Sequence, residues 1–362
     1  MTTLTSRGNP RPALRRPLRT AAHLLATPLV PQDFIDLVNP LSSRTDLRGR
    51  IDAIDAETAD SATIRIRVGR GWRGHRAGQY VRLGIDVDGV RQWRTYSVTS
   101  PAGRGSHIAI TVKAVTDGAV SNHLVRHARI GTLVHLDQAA GDFTLPHRLP
   151  TKVLFVTAGS GITPVMGMLR THLDDLADVV VVHSARTSRD VIFGEELRAL
   201  ARSGALTLVE NHTITQPRLT ARRLAELVPD WAQRHTWACG PAGLLDELQT
   251  HYATAGLGDM LEVERFRVAI TPMGDGGPVT FSRSGSTTET DGATTLLDAG
   301  EDAGVLMPSG CRMGVCFGCV VPLRSGAVRD VRNGEVTSAR PGDGVLVQTC
   351  ISTAAGACEL DV

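Results

Sequence analysis

Three cysteines, Cys311, Cys316 and Cys319, lie in the run CRMGVCFGC with C-x4-C-x2-C spacing, and a fourth, Cys350, follows in QTC. Thiolates are soft donors that neutralise iron charge, and this spacing with a distant fourth cysteine is that of a plant-type 2Fe-2S site. Structural zinc takes paired CxxC knuckles or mixed Cys and His sets, which this run does not offer. Gly310, Gly314 and Gly318 let the backbone come close to a cluster so that N–H groups can face its sulfurs. Cys239 and Cys358 complete the six cysteines of the chain; Cys358 has no spacing partner and reads as a packed thiol. Cysteines used in this way suit a cluster better than a disulfide framework and imply a reducing, cytoplasmic setting.

With Leu296 to Ala303, the segments PSGCRMGVCFGC and QTC resemble the plant-type ferredoxin, a β-grasp fold, over most of residues 278–362. Upstream, Arg94-Thr95-Tyr96-Ser97 ends a candidate strand and is followed by Thr99-Ser100-Pro101. An edge strand with an exposed arginine would read the same, but the run resembles the RxYS motif of the ferredoxin-NADP reductase superfamily. That resemblance implies that Tyr96 stacks on a flavin isoalloxazine, Ser97 hydrogen-bonds near the flavin N5, and Arg94 pairs with a flavin phosphate. The residue types suit those tasks: a π face, a hydroxyl donor and a guanidinium fork. Lys113, within VKAV, and the segment Gly118-Ala119-Val120-Ser121-Asn122 are similar to the place where the superfamily meets the flavin pyrophosphate; a plain hairpin with a serine cap is the alternative. Gly141-Asp142-Phe143 resembles the turn that closes the flavin barrel, without the proline common before it. FAD rather than FMN is expected.

Thr157 to Pro164, TAGSGITP, follows a buried apolar run and opens a helical one, so its glycines can admit a pyrophosphate to a helix start. It is neither GxGxxG nor a Walker A loop. It is similar to the superfamily's GxGxTP, which makes Gly159, Gly161, Thr163 and Pro164 nucleotide-binding candidates. Cys239-Gly240-Pro241 looks like the superfamily's CGP, whose cysteine approaches the nicotinamide. By this resemblance Tyr96, Ser97 and Cys239 are the expected catalytic residues and Gly240 a nucleotide contact. Ser184, Arg186 and Arg189 stand where the superfamily reads the adenosine 2′ position; two arginines beside a hydroxyl suit a 2′-phosphate, so NADPH is expected ahead of NADH. Glu264-Arg265-Phe266 ends the unit where the superfamily often covers the flavin, giving Phe266 a cofactor role; a core Phe266 with a solvated Glu264 is the other reading.

The elements that must position these residues divide the chain. Residues 45–148 alternate short strands with Gly turns, as an antiparallel Greek-key barrel for the flavin would: 62–68, 79–87, 92–98, 107–115 and 132–138. Residues 149–270 alternate strands (153–157, 179–183, 206–211, 235–238) with helical stretches (164–176, 192–202), the pattern of an α/β parallel-sheet nucleotide domain. TPMGDGGP, residues 271–278, reads as a linker, and residues 279–362 as the 2Fe-2S ferredoxin-type domain, opening with a strand at 279–281 and a helix near 294–303.

Residues 1–44 form a basic arm. Arg15, Arg16 and Arg19 beside Leu18, Leu24 and Leu25 could build a short amphipathic helix in peripheral contact with an anionic membrane; an arm packed on the next domain is the plainer reading. Residues 26–50 resemble the leader of reductases paired with acyl-CoA or lipid desaturases and membrane-bound di-iron hydroxylases. A net charge of +2 and 14 aromatic residues (7 Phe, 4 Trp, 3 Tyr) give no nucleic-acid footprint, and no apolar run reaches the length of a bilayer span. From Gly276 onward ten acidic residues face six arginines, a charge that could steer the cluster toward a basic partner site. Together these features predict an electron-transfer oxidoreductase passing electrons from NADPH through FAD and a 2Fe-2S cluster to a partner desaturase or hydroxylase. Alternatives are the reductase of a ring-hydroxylating dioxygenase or cytochrome P450, and a redox-sensing binding module.

Overall fold

The computed structural model describes residues 39–43, 46–87, 89–116, 118–266, 276–310, 312, 314 and 317–362. Most of the expected N-terminal arm, the core of the linker, and two of the four cluster cysteines, Cys311 and Cys316, lie outside the described residues.

Six antiparallel strands come first: β1 (Arg48–Thr58), β2 (Ser61–Val68), β3 (Tyr80–Val87), β4 (Val90–Ser97), β5 (His107–Lys113) and β6 (Leu133–Leu136). Their order is β4-β3-β6-β1-β2-β5, and a bridge between Val98 and Ile110 joins the two edges, closing the sheet into a Greek-key barrel. In β2 the alternation is direct: Ala62, Ile64 and Ile66 point into the core while Arg65 and Arg67 face water. A short helix, α1 (Ala119–Asn122), caps one side of the barrel ahead of β6.

A five-stranded parallel sheet follows, ordered β11-β10-β7-β8-β9 from β7 (Lys152–Ala158), β8 (Asp178–Ala185), β9 (Thr207–His212), β10 (His235–Cys239) and β11 (Leu261–Glu264). Helices α2 (Ile162–His172), α3 (Gly194–Arg202), α4 (Ala221–Leu227) and α5 (Ala242–Thr254) alternate with them. Both faces of this sheet are covered, so its central strands carry continuous apolar runs, Val153–Val156 in β7 and Val179–Val182 in β8. Val153 and Phe155 of β7 join the core under α2, while Leu154 and Val156 join the core under α4 and α5.

The C-terminal sheet is mixed: β12 (Gly277–Phe281), β13 (Ser286–Thr290), β14 (Val320–Asp330), β15 (Val336–Ala339) and β17 (Ser352–Leu360), with β16 (Leu346–Gln348) paired to β14. Only β12 and β17 run parallel. Helix α6 (Leu296–Asp302) lies over the sheet, its N-terminus capped by Thr295, whose hydroxyl accepts from the Asp298 N–H at 3.1 Å. Leu296 and Leu297 pack into one core with Phe281, Val321 and Leu360. This is the β-grasp arrangement. No helix among the described residues is long and apolar enough to cross a membrane.

Candidate flavin, nucleotide and cluster sites

A cavity of about 570 Å³ opens where the barrel, the parallel sheet and the C-terminal domain meet. The barrel contributes Arg94, Thr95, Tyr96 and Ser97 from β4, Lys113 from the end of β5, and Gly118, Val120 and Ser121 from the turn into α1. The parallel domain adds Ser160, Thr163, Glu264 and Phe266. Every flavin residue expected from sequence is therefore gathered in one place.

The chemistry of its wall is unsatisfied. Ser97 Oγ, Thr95 Oγ1 and Glu264 Oε2 are buried there with no hydrogen-bond partner among the described residues, a state that protein interiors rarely leave without water or a ligand to complete the bonds. A flavin ring, which carries donors and acceptors along one edge, fits that requirement. Burial raises the Tyr96 hydroxyl above its usual range, so the ring is a neutral apolar face. Burial, and after it the charge of Arg312, lowers the Arg94 guanidinium, which donates to the Trp93 carbonyl at 2.8 Å and to Gln92 Oε1 at 3.4 Å while bordering the cavity. Burial also pushes the Glu264 carboxyl up to about 8, so it is protonated at neutral pH.

A longer groove of about 1180 Å³ runs across the ends of β7, β8 and β10. Its floor is the strand-to-helix turn Gly159–Gly161. A Cβ on Gly159, at φ +55°, would meet nothing within 4 Å, whereas one on Gly161 would stand 2.0 Å from the Cys239 carbonyl oxygen. The first glycine thus leaves room for a ligand and the second lets the turn sit on β10. Thr163 bonds back to the Ser160 carbonyl at 2.9 Å, and Pro164 occupies the first turn of α2, where its missing N–H leaves no bond unmade. Ser184 and Arg186 border the groove beyond β8. Arg189 does not border it: it lies in the Ser188–Asp190 turn, where its N–H donates to Thr187 Oγ1 and Asp190 completes a capping box. Arg218 borders the groove instead, from the loop before α4. No local motif marks that arginine; the pairing of β8 with β9 brings the segments that carry Arg186 and Arg218 to the same groove. Ser160, Lys113 and Phe266 border both the groove and the flavin cavity, so the two sites are continuous there.

Cys239 is 0% exposed and belongs to the core beneath the Gly161 turn; it lines neither space, although the adjoining Gly240 lines the groove. Burial, and after it the neighbouring Glu264 opposite it in the β10–β11 register, raises its thiol well above the ordinary range, so it stays neutral.

Of the expected cluster ligands within the described residues, Cys319 and Cys350 bring their sulfurs to 3.3 Å. That is too long for a disulfide and compatible with two thiolates on one iron, so the donors fit the group. Cys350 also borders the flavin cavity, alongside Thr295, Leu297, Asp298 and Arg312 of the same domain. Cys358 is buried between β12 and β14, as a packed thiol should be.

Comparison with known proteins agrees with this layout. An oxidoreductase FAD-binding domain model matches residues 49–145, an oxidoreductase NAD-binding domain model residues 155–250, and a 2Fe-2S iron-sulfur cluster binding domain model residues 279–355. An NADPH oxidoreductase of Mycobacterium tuberculosis is 49% identical over 353 residues, covering 95% of this chain and 92% of that one. The chain belongs to the ferredoxin-NADP reductase superfamily. It is similar also to the ferredoxin reductase component of 3-ketosteroid-9-alpha-monooxygenase from Mycolicibacterium smegmatis, at 32% identity over 75% of this chain and 80% of that one. Phthalate dioxygenase reductase shares the superfamily fold across 87% of this chain and 97% of its own, with a TM-score of 0.60 at 22% identity. As a member of this superfamily with all three domains, the chain is an NAD(P)H-dependent oxidoreductase that binds FAD and a 2Fe-2S cluster and transfers electrons from pyridine nucleotide through FAD to the cluster.

Proposed function

We propose that this reductase draws on NADPH and delivers single electrons to a desaturase or a membrane-bound di-iron hydroxylase. The observation that carries the nucleotide preference is the pair Arg186 and Arg218, which border the groove beside Ser184 and make no ion pair among the described residues. Two unpaired guanidiniums at one groove edge suit a dianionic 2′-phosphate. The name of the mycobacterial NADPH oxidoreductase agrees with this choice.

In this reading Arg94, Gly118, Val120 and Ser121 hold the FAD phosphates and ribityl chain, with Lys113 beside them at the junction of the two sites, Tyr96 covers the ring, and Ser97 offers its hydroxyl to N5. Gly159, Gly161, Thr163, Pro164 and Gly240 shape the turn that takes the dinucleotide pyrophosphate. Phe266 lies between the two sites, where its ring would cover a bound flavin. Cys311, Cys316, Cys319 and Cys350 hold the cluster. Bound flavin converts the two-electron hydride of the nicotinamide into the one-electron steps that a 2Fe-2S centre accepts. The protein's part is alignment: continuous sites at Lys113, Ser160 and Phe266 on one side, and Cys350 at the cavity wall on the other.

The desaturase acceptor is supported by the leader-like stretch within residues 26–50. A second reading, the reductase of a ring-hydroxylating oxygenase or cytochrome P450, is favoured by the M. smegmatis relative, itself the ferredoxin reductase component of a monooxygenase. Reconstitution separates them. Purified reductase and NADPH are supplied to vesicles carrying an acyl-CoA desaturase, or to a soluble oxygenase component. Fatty-acyl product with the desaturase is expected; turnover with the oxygenase alone would establish the second reading.

A further inference from the structure

We infer that Asp60, at the tip of the β1–β2 hairpin, sets the affinity of the dinucleotide groove by holding the Lys113 ammonium away from the pyrophosphate. The inference rests on the groove being the nicotinamide dinucleotide site. Lys113 Nζ lies 2.7 Å from both Asp60 oxygens, and the two residues border the groove together with Gly159 and Ser160 of the pyrophosphate turn. Burial acts against the Asp60 carboxylate but is outweighed by hydrogen bonds from Lys113 and Thr58, so it stays ionised.

The tip is built to hold this position. Thr58 Oγ1 donates to Asp60 Oδ1 at 2.8 Å and lies 2.6 Å from Ser61 Oγ. Glu57 next to it accepts the Phe193 N–H at 3.4 Å, tying the barrel hairpin to the nucleotide domain. Lys113 is thus a cation at the meeting of two phosphate sites whose charge is already matched. A pyrophosphate entering the groove must compete with Asp60 for Lys113 and then sit near the carboxylate left behind. Oxidised and reduced dinucleotides carry the same phosphates, so tighter phosphate binding would strengthen substrate and product alike without speeding hydride transfer. A carboxylate that tempers this affinity shortens the residence of the oxidised product.

Asp60→Asn removes the charge and keeps an oxygen for Thr58. In reductase loaded with FAD and cluster, the dissociation constant of NADP⁺, read from the perturbed flavin absorbance, should fall about five- to tenfold. Its dependence on ionic strength should steepen, since a freed cation adds a screened contact. Product inhibition by NADP⁺ should strengthen in step, FAD content should stay at the wild-type ratio, and Asp60→Glu should restore the wild-type constant. Unchanged or weaker NADP⁺ binding would overturn the inference, as would a loss of FAD with no change in nucleotide binding, which would make the pair structural. NAD⁺, which has the pyrophosphate without the 2′-phosphate, must respond to Asp60→Asn in the same direction. Indifference of NADP⁺ binding to Arg186→Ala and Arg218→Ala would defeat the NADPH preference and leave the Asp60 result standing.

Discussion

Glu264 is an acid in a place that opposes its charge. Burial lifts its carboxyl from 4.5 to about 8, so between those pH values the folded chain holds a proton that the unfolded chain has released. Stability must then fall as pH rises through this window, by at most ~1.4 kcal/mol per pH unit, and level off above it. Glu264→Gln removes the ionisation. Chemical denaturation of the two proteins from pH 4 to 9 should show the variant gaining on the wild type up to about pH 8; parallel profiles would mean that Glu264 is solvated. The arginines make the second test at this scale: Arg186→Ala or Arg218→Ala should raise the KM for NADPH roughly tenfold, the loss of one charge-assisted contact, and leave that for NADH nearly unchanged. Sequence alone pointed to Ser184 and Arg186 because they stand at the end of the β8 run, and to the cysteines because their spacing is local. It missed Arg218 and Asp60, whose partners lie in other elements, and it named Arg189, which does not border the groove although its neighbour Asp190 in the same capping box does. It expected Cys239 to approach the nicotinamide, whereas the thiol is buried beneath the Gly161 turn and only the adjoining Gly240 borders the groove.

At the scale of elements, the turn between β7 and α2 floors the long groove on two glycines with different reasons to be glycine. Gly161 has an ordinary φ of −61°, so its constraint is contact: a methyl group there would press into the Cys239 carbonyl. Gly161→Ala should destabilise the protein by about 1–3 kcal/mol, lower its melting temperature and weaken NADP⁺ binding. Gly159→Ala has space but the wrong sign of φ, so about 1–2 kcal/mol of backbone strain is expected instead. A Gly161→Ala protein with unchanged melting temperature would show that the turn does not rest on β10. Four strands of the parallel sheet were legible, β7 and β8 most directly because burial on both faces makes them continuous apolar runs; β11, with Glu262 and Glu264 among its four residues, was not. β1 was not, because RGRIDAIDAET offers few apolar residues and only Ile51 among them is fully buried. Helices α4 and α5 also went unnoticed, their apolar faces diluted by the arginines of ARRLAEL and by polar residues within AGLLDELQTHYAT.

For the whole molecule, the order of three domains could be read along the chain, but their apposition could not, since no local pattern fixes how one sheet sits against another. The junction at the flavin cavity is where that apposition acts. Arg312, in the cluster loop with φ +60°, bonds Asp298 at 3.2 Å and Glu301, both on α6, and the charges of Arg312 and Glu301 both reach Arg94 of the barrel. Glu301 offsets the repulsion between the two arginines, so it favours the docked arrangement in which Cys350 borders the flavin cavity. Glu301→Gln leaves that repulsion uncompensated across the interface. In stopped-flow reduction by NADPH, flavin bleaching should keep its wild-type rate, while the appearance of reduced cluster slows roughly two- to fivefold, the scale of one partly exposed ion pair. Added salt should slow the wild-type cluster phase toward that of the variant, because it screens the same attraction. If the cluster phase is unaltered by both the substitution and salt, packing alone sets the distance from flavin to cluster, and these charges serve only to hold the cluster loop on α6.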